Sequence, residues 1–291
     1  MTATIYEIDP SIQTPEDLRG NAALAAEADK LFETTRSGPR AVLPCSMCYV
    51  PFSHFMPPGI LADIANRAPC SGLREKILAD RLSSPELHLG QVEYIFDIGN
   101  WSPFLMSSNP AKKYATLLQI LQYPFSRGSV HISPSDPYGK PDIDPQYYTS
   151  EGGIGTLDLE LQVHCARFGQ KLVQTEPLAS FIKGPACPAS AELDDGELKQ
   201  WIVNNTITDW HPVGTCAMGG SMSIEDGVVD ERLRVYGVHG LRVVDASVMP
   251  LQISAHLQAT VFAIADKASE MILEDRFKDP AEFHVCCTGT D

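Results

Sequence analysis

Hydrophobic positions recur at helical spacing in three long stretches of the chain. The first covers residues 16–38 and is rich in alanine, leucine, glutamate and lysine, until Gly38-Pro39 ends it. The second covers residues 156–174 and the third covers residues 258–275. One face of this third helix is predicted to be apolar, with Val261, Ile264, Ala265, Ala268, Met271 and Ile272.

Other stretches predict strands and loops. Residues 91–99 (QVEYIFDIG) alternate like a half-buried strand, and residues 129–132 predict a short strand followed by proline-spaced turns. The branched apolar run 241–244 predicts a buried strand. A short helix is expected over 194–206, capped near Asp194 or Asp195. Residues 42–67 are rich in proline, aromatics and methionine, which predicts an irregular loop or lid.

Composition narrows the classes of partner. The chain has 291 residues, of which 44% are hydrophobic and 20% charged, as in an ordinary globular protein of about one or two domains. A net charge of −15 argues against nucleic acid and anionic membranes as partners. No apolar run approaches the roughly 20 residues of a membrane span. Eight cysteines and no signal peptide at the N-terminus favour reduced thiols in an intracellular, cytoplasmic setting.

Two histidines on separate loops are the candidate chemical groups. His211 lies between Trp210 and Pro212, and small residues follow it, which is typical of a fixed loop. His256 lies on the loop before the last predicted helix, at the carboxyl end of the predicted strand 241–244, where ligands usually bind in open sheets. A neutral imidazole can take a proton from a hydroxyl while a second one holds the oxygen. Each could instead be a structural histidine.

Segments around both histidines resemble a known family. HPVGTCAMGG (211–220), GVVDERLRVYGVHGLRVVDASVMP (227–250) and SAHLQATVFAIADKASEMI (254–272) resemble the C-terminal signature of the glucose–methanol–choline (GMC) flavoprotein oxidoreductases. QYPFSRGSVHISPSDPYGKPDIDPQYY (122–148) is similar to that family's substrate-domain segment, and residues 16–39 are similar to the helix that opens it. The resemblance thus spans nearly the whole chain.

The resemblance implies an α+β fold with a mostly antiparallel sheet and flanking helices. Residues 1–215 would form a substrate-binding domain, residues 216–275 a strand-loop-helix remnant of the FAD-binding domain, and residues 276–291 a polar tail. His211 would be the base that takes the alcohol proton, and His256 the second active-site residue, which is His or Asn in the family. The implied cofactor contacts are Asp245, Ala246, Leu257, Gln258 and Trp210.

FAD is implied by resemblance only. A dinucleotide needs a glycine-rich turn between strand and helix, and the sequence contains no G-x-G-x-x-G. EGGIGTLDLE (151–160) lacks the third glycine and a preceding strand. We therefore do not expect this chain alone to bind FAD tightly. It would form a homo-oligomer or recruit a complementary flavin-domain chain.

Three hypotheses remain open. The chain could belong to an alcohol-oxidising GMC enzyme that needs FAD and the missing half. It could be a flavin-free, redox-neutral dehydratase, cyclase or pericyclase that uses the same histidines. It could also be a non-catalytic binding subunit. The substrate would be a small alcohol-bearing molecule or a polyketide-like secondary metabolite, by family analogy.

Other motifs give weaker indications of function than the two histidines. CSMC at Cys45 to Cys48 has C-x-x-C spacing, but nothing completes a four-ligand zinc site, so no metal is predicted. No G-x-S-x-G elbow or P-loop is present. Aromatic-rich segments could line an apolar substrate site or could equally be core. The candidate substrate-binding residues in them are His54, Phe55, Trp101 and Phe104.

Overall fold

The computed structural model describes residues 1–43, 45–69, 72–84, 89–101, 112–149, 153, 155–219 and 227–278. The chain falls into two units. The first combines residues 1–128 and 145–208, and the second combines residues 129–144 and 209–291. Residues 129–144 and 209–215 thus group with the second unit, whereas the sequence boundaries assign them to the substrate domain. The function of each domain stays a prediction.

The first unit is built on an antiparallel sheet. The strands of the chain are β1 (Thr2–Ile8), β2 (Cys45–Val50), β3 (Val92–Ile98), β4 (Lys113–Leu121), β5 (Ser129–His131), β6 (Asp142–Asp144) and β7 (Ile182–Cys187). The main sheet has the order β2-β3-β4-β1-β7, and each neighbouring pair is antiparallel. β5 and β6 form a separate antiparallel ribbon in the second unit. This sheet confirms the predicted α+β class.

The helices account for most of the remaining regular structure. They are α1 (Pro15–Gly20), α2 (Ala22–Thr35), α3 (Pro58–Arg67), α4 (Leu73–Ser83), α5 (Gly155–Val173), α6 (Asp195–Asn205) and α7 (Gln258–Lys278), with 3-10 turns at Phe52–His54, Leu178–Ser180 and Ala246–Val248. The sequence predicted α5, α6 and α7. Asp194 caps α6 through a reciprocal pair of hydrogen bonds with Glu197, as a capping box requires.

The core of the first unit lies between α5 and the central strands. Nearly every residue of β4 is buried. Gly169 of α5 lies where an added Cβ would come within 3.0 Å of Leu117. Two polar side chains in this core are paired: Gln162 donates to the Thr2 hydroxyl (2.8 Å) and Tyr94 donates to the Cys165 carbonyl (2.9 Å).

Two sequence predictions are wrong in the first third of the chain. The single helix predicted over 16–38 is divided into α1 and α2, because the Asn21 side chain accepts hydrogen bonds from the amides of Ala23 and Leu24 and starts a new helix. The predicted loop or lid at 42–67 contains β2 and α3. Pro51, Pro57 and Pro58 stand between or at the start of these elements, where a missing N–H is tolerated.

The buried strand predicted at 241–244 is also wrong. Among the described residues this run pairs only through an isolated bridge between Arg242 and Arg234, and Leu241 is half exposed. A branched apolar run becomes a strand only where a neighbouring strand offers a ladder of hydrogen bonds. The predicted α7 does form, and the six residues of its predicted apolar face are less exposed than Phe262 on the other side.

No helix within the described ranges combines the length and the apolarity needed to cross a membrane.

Asp97 gives a stability prediction for the sheet. It lies on β3 with 6% of its surface exposed, and its Oδ1 atom finds no donor among the described residues. Burial raises its pKa to about 6, although a hydrogen bond from Trp101 opposes the shift. A carboxyl whose pKa is raised on folding costs no stability below its unfolded pKa, and its cost grows as pH rises from that value to about 6 and is complete above it.

We therefore expect Asp97→Asn to raise the free energy of unfolding at pH 7 by about 1–2 kcal/mol, less than the full shift implies because water partly screens the site. Asparagine keeps an oxygen that can accept from Trp101. Denaturant unfolding at pH 7 and pH 4 is the measurement. The gain should vanish at pH 4, and an equal gain at both values would contradict an ionisation effect.

Candidate functional site

The His211 loop is held by a local bend and an acidic neighbour. Trp210 adopts a left-handed backbone conformation with φ of +55°, and its side chain is exposed. On either side of it, the Asp209 Oδ2 and His211 Nδ1 atoms lie 2.8 Å apart. The Asp209 and His211 side chains keep only 20% and 26% of their surface exposed. A carboxylate oxygen at this distance can accept a proton carried on Nδ1 of the imidazole.

Backbone contacts tie the His211 loop to the segment that leads to His256. The amides of Cys216 and Met218 donate to the carbonyls of Ser247 and Val248, at 3.0 and 2.8 Å. Gly214, with φ of +84°, lies where an added Cβ would come within 3.5 Å of a backbone carbonyl. The two segments therefore run side by side, and glycine at position 214 adopts the positive φ without strain.

The two histidines meet within the second unit. The ring centroids of His211 and His256 lie 5.3 Å apart, with the ring planes inclined by 55°. His211 is partly exposed and His256 is exposed, so both rings can be reached by a small molecule. His256 stands two residues before α7 begins. This arrangement can hold one hydroxyl oxygen between two imidazoles.

The residues implied as cofactor contacts share this unit but differ in exposure. Asp245 is exposed and caps the 3-10 turn by accepting from the Ser247 amide at 2.8 Å. Gln258 is the exposed first residue of α7, Ala246 is half-buried and Trp210 is exposed. Leu257 is buried, and its carbonyl accepts from the Val261 amide. Their roles stay predictions.

The candidate substrate residues lie in the first unit or outside the described residues. His54 is exposed at the end of a 3-10 turn. Phe55 stacks on Phe168 with centroids 4.4 Å apart, so its ring packs within the unit. Trp101 is 56% exposed, and its backbone amide donates to the Thr116 hydroxyl. Phe104 falls outside the described residues, and the proposed substrate-binding roles stay predictions.

Metal ligands do not gather in the described part of the chain, where no three His, Cys, Asp or Glu side chains come close enough to hold an ion. The CSMC motif forms β2, and side chains three apart on a strand point to opposite faces. Cys45 and Cys48 are free thiols, and burial raises the pKa of Cys48. The motif is therefore interpreted as ordinary residues of strand β2.

Asp209 is the site residue that sequence reasoning missed. The signal available was a carboxylate two residues before the histidine, with an aromatic between them. That spacing alone does not place the two side chains in contact, because the contact depends on the left-handed conformation of Trp210.

Comparison with known proteins gives this geometry a context. Residues 124–265 match the model of a protein family described as GMC oxidoreductase. Dehydrogenase mpl7 from Monascus purpureus is 29% identical over 300 residues, which cover 94% of this chain and 46% of the relative. A fungal aryl-alcohol oxidase of known structure is 26% identical, with a TM-score of 0.67 over 96% of this chain and 48% of that one.

A more distant structure shares the fold. Formate oxidase from Aspergillus oryzae, at 21% identity, superimposes with a TM-score of 0.75 over 95% of this chain and 46% of its own. The chain therefore spans about half the length of these relatives.

Proposed function

We propose that this chain is the C-terminal part of a GMC oxidoreductase and that it supplies the acid–base site of an FAD-dependent enzyme, which oxidises the C–OH group of a small organic alcohol. The observation that carries the proposal is the accessible His211–His256 pair, with ring centroids 5.3 Å apart. The substrate class is supported by relatives described as a dehydrogenase and as an aryl-alcohol oxidase.

The two histidines have different tasks in this proposal. The unprotonated Nε2 of His211 takes the proton of the substrate hydroxyl, while its Nδ1 faces Asp209. His256 donates a hydrogen bond to the same oxygen and holds it as the C–O bond becomes a carbonyl. When bound, FAD supplies the acceptor for the hydride that leaves the carbinol carbon.

We expect this chain to contact only one end of FAD, the end that carries the isoalloxazine ring. The ring end suits the surface around His256, where Asp245, Ala246, Leu257, Gln258 and Trp210 would contact it. The ADP end needs a glycine-rich turn, which the sequence lacks. We propose that a complementary flavin-binding polypeptide, in the same assembly, holds that end. A homo-oligomer of this chain is a simpler assembly than one with a second polypeptide, so it should be excluded first.

A flavin spectrum is the first experiment. The purified chain is titrated with FAD and its visible absorbance is recorded, alone and with the part of Dehydrogenase mpl7 that this chain does not match added. We expect no bound flavin with the chain alone, and bound flavin that bleaches anaerobically with an aryl or aliphatic alcohol once the second half is present. Bound flavin that no alcohol bleaches would contradict the proposed reaction.

A redox-neutral enzyme is the second candidate, because two neighbouring imidazoles can act as an acid–base pair without a flavin. The same histidines would catalyse dehydration or cyclisation of a polyketide-like molecule without a flavin. Conversion of such a substrate with unchanged oxidation state, lost in His211→Ala, would support this function over the first. Binding that survives His211→Ala with no turnover would instead identify a non-catalytic subunit.

A further inference from the structure

We propose that Asp209 is a positioning residue for His211: its carboxylate accepts the Nδ1 proton and thereby keeps Nε2 unprotonated and aimed as the base. The inference rests on the proposed function for its catalytic consequence. Its structural part, the tautomer and orientation of one imidazole, can be measured in this chain without flavin or substrate.

The first support is the pairing itself. The Asp209 Oδ2 and His211 Nδ1 atoms lie 2.8 Å apart, the usual length of a charge-assisted hydrogen bond. About three-quarters or more of each side chain is shielded from solvent, so water screens the contact less than it would on an open surface. Within the described ranges, no lysine or arginine forms an ion pair with Asp209. The Nδ1–H group of His211 is therefore the donor for this carboxylate in the proposed pairing.

The second support is the backbone that creates the pairing. In an extended segment, side chains two residues apart leave the backbone about 7 Å from each other. Trp210 instead has φ of +55°, a conformation that is unfavourable for a bulky residue and persists only where its surroundings impose it. The bend brings the Asp209 carboxylate onto the His211 ring. Strain of this kind is concentrated at functional sites.

The third support is the set of contacts that fixes the backbone of His211 and of the loop after it. The Gln252 side chain donates to the His211 carbonyl at 3.4 Å, and the loop beyond runs along residues 247–248 through backbone hydrogen bonds. With the backbone fixed there and the Nδ1 atom fixed by Asp209, rotation about the Cα–Cβ and Cβ–Cγ bonds of His211 is restricted. The free nitrogen is Nε2, and it has a defined direction.

The chemistry depends on which nitrogen carries the proton. A neutral imidazole has one N–H, and a base must present the other nitrogen. A carboxylate can only accept, so it selects the Nδ1–H tautomer. An asparagine amide can donate to Nδ1 and so permits the Nε2–H tautomer, which cannot take a proton from an alcohol. Asp209→Asn therefore changes the protonation pattern while conserving shape.

The test begins with nitrogen NMR of histidine-labelled chain, at a pH where the imidazoles are neutral. His211→Gln identifies the His211 signals. We expect the Nδ1–H tautomer in the original chain, a shift toward Nε2–H in Asp209→Asn, and recovery in Asp209→Glu. A predominant Nε2–H tautomer in the original chain, or an unchanged tautomer in Asp209→Asn, would overturn the proposal.

Kinetics in the flavin-loaded assembly separate positioning from structure. We expect kcat of Asp209→Asn to fall by about 100-fold or more, as in carboxylate–histidine pairs elsewhere, with KM changed by less than about threefold. Asp266→Asn on α7 removes the same charge from an exposed position of the same unit, and it should leave tautomer and kcat unchanged.

These experiments distinguish failure of the positioning role from failure of the proposed function. If the tautomer responds as expected but the assembly oxidises no alcohol, the proposed function fails and the positioning role stands. If the assembly oxidises alcohols and Asp209→Asn retains its kcat, the positioning role is wrong. A lower unfolding temperature in Asp209→Asn without a change of tautomer would assign Asp209 to the structure of the loop alone.

Discussion

Replacing His211 with glutamine is expected to lower kcat for alcohol oxidation by about 10²–10⁴-fold in the flavin-loaded assembly. The variant removes the group that takes the hydroxyl proton and leaves the neighbouring backbone contacts in place. The alcohol proton then has no imidazole at position 211 to accept it. Anaerobic single-turnover bleaching of the flavin isolates this step from product release.

His239→Gln is the matched control for that experiment. His239 is an exposed histidine of the same unit, between Val238 and Gly240, and it should tolerate the change with unaltered kcat. Retention of full activity in His211→Gln would remove the proposed base. Loss of activity in both variants would point to a general effect on the second unit and would also count against a specific role for His211.

Local patterns predicted the elements whose stability is local. α5, α6 and α7 follow helical periodicity, and α6 also follows its capping box. β3 follows alternation, although more of it is buried than a half-buried strand requires, because the sheet is covered on both sides there. The sequence prediction failed at β2 and α3, where a high content of proline and aromatic residues was interpreted as an irregular loop. The described prolines there lie only at the boundaries of the elements.

The site was less predictable than the fold. His211 and His256 are 45 positions apart, and no spacing rule places them 5.3 Å from each other. Residue type and loop position made both histidines candidates for acid–base chemistry, and the family resemblance implied that they share one site. Asp209 escaped notice because its contact depends on the dihedral angle of Trp210, which residue type does not reveal. The expected strand at 241–244 failed for the opposite reason, since a favourable residue pattern cannot supply the partner that a strand needs.

Gly155 is the position where one added methyl group should cost the most stability. It is the buried first residue of α5, and a Cβ there would lie 2.2 Å from the carbonyl carbon of Tyr148 and 2.6 Å from the Thr149 nitrogen. These are backbone atoms, so no side-chain rotation can relieve the clash. Either α5 or the segment that contacts it must move, and α5 carries Leu161 and Cys165 into the core.

We expect Gly155→Ala to lower the free energy of unfolding by about 3 kcal/mol or more, at the upper end of the usual effect of overpacking. Gly59→Ala is the matched control, because Gly59 lies on α3 with no atom within 4 Å of the added Cβ. Because alanine is less flexible than glycine in a helix, the free energy of unfolding of that variant should be unchanged or higher by up to about 1 kcal/mol. Denaturant unfolding of both variants measures the difference. Equal stabilities would mean that the close approach of α5 to Tyr148 does not constrain the fold, and that residue 155 is glycine for some reason other than space.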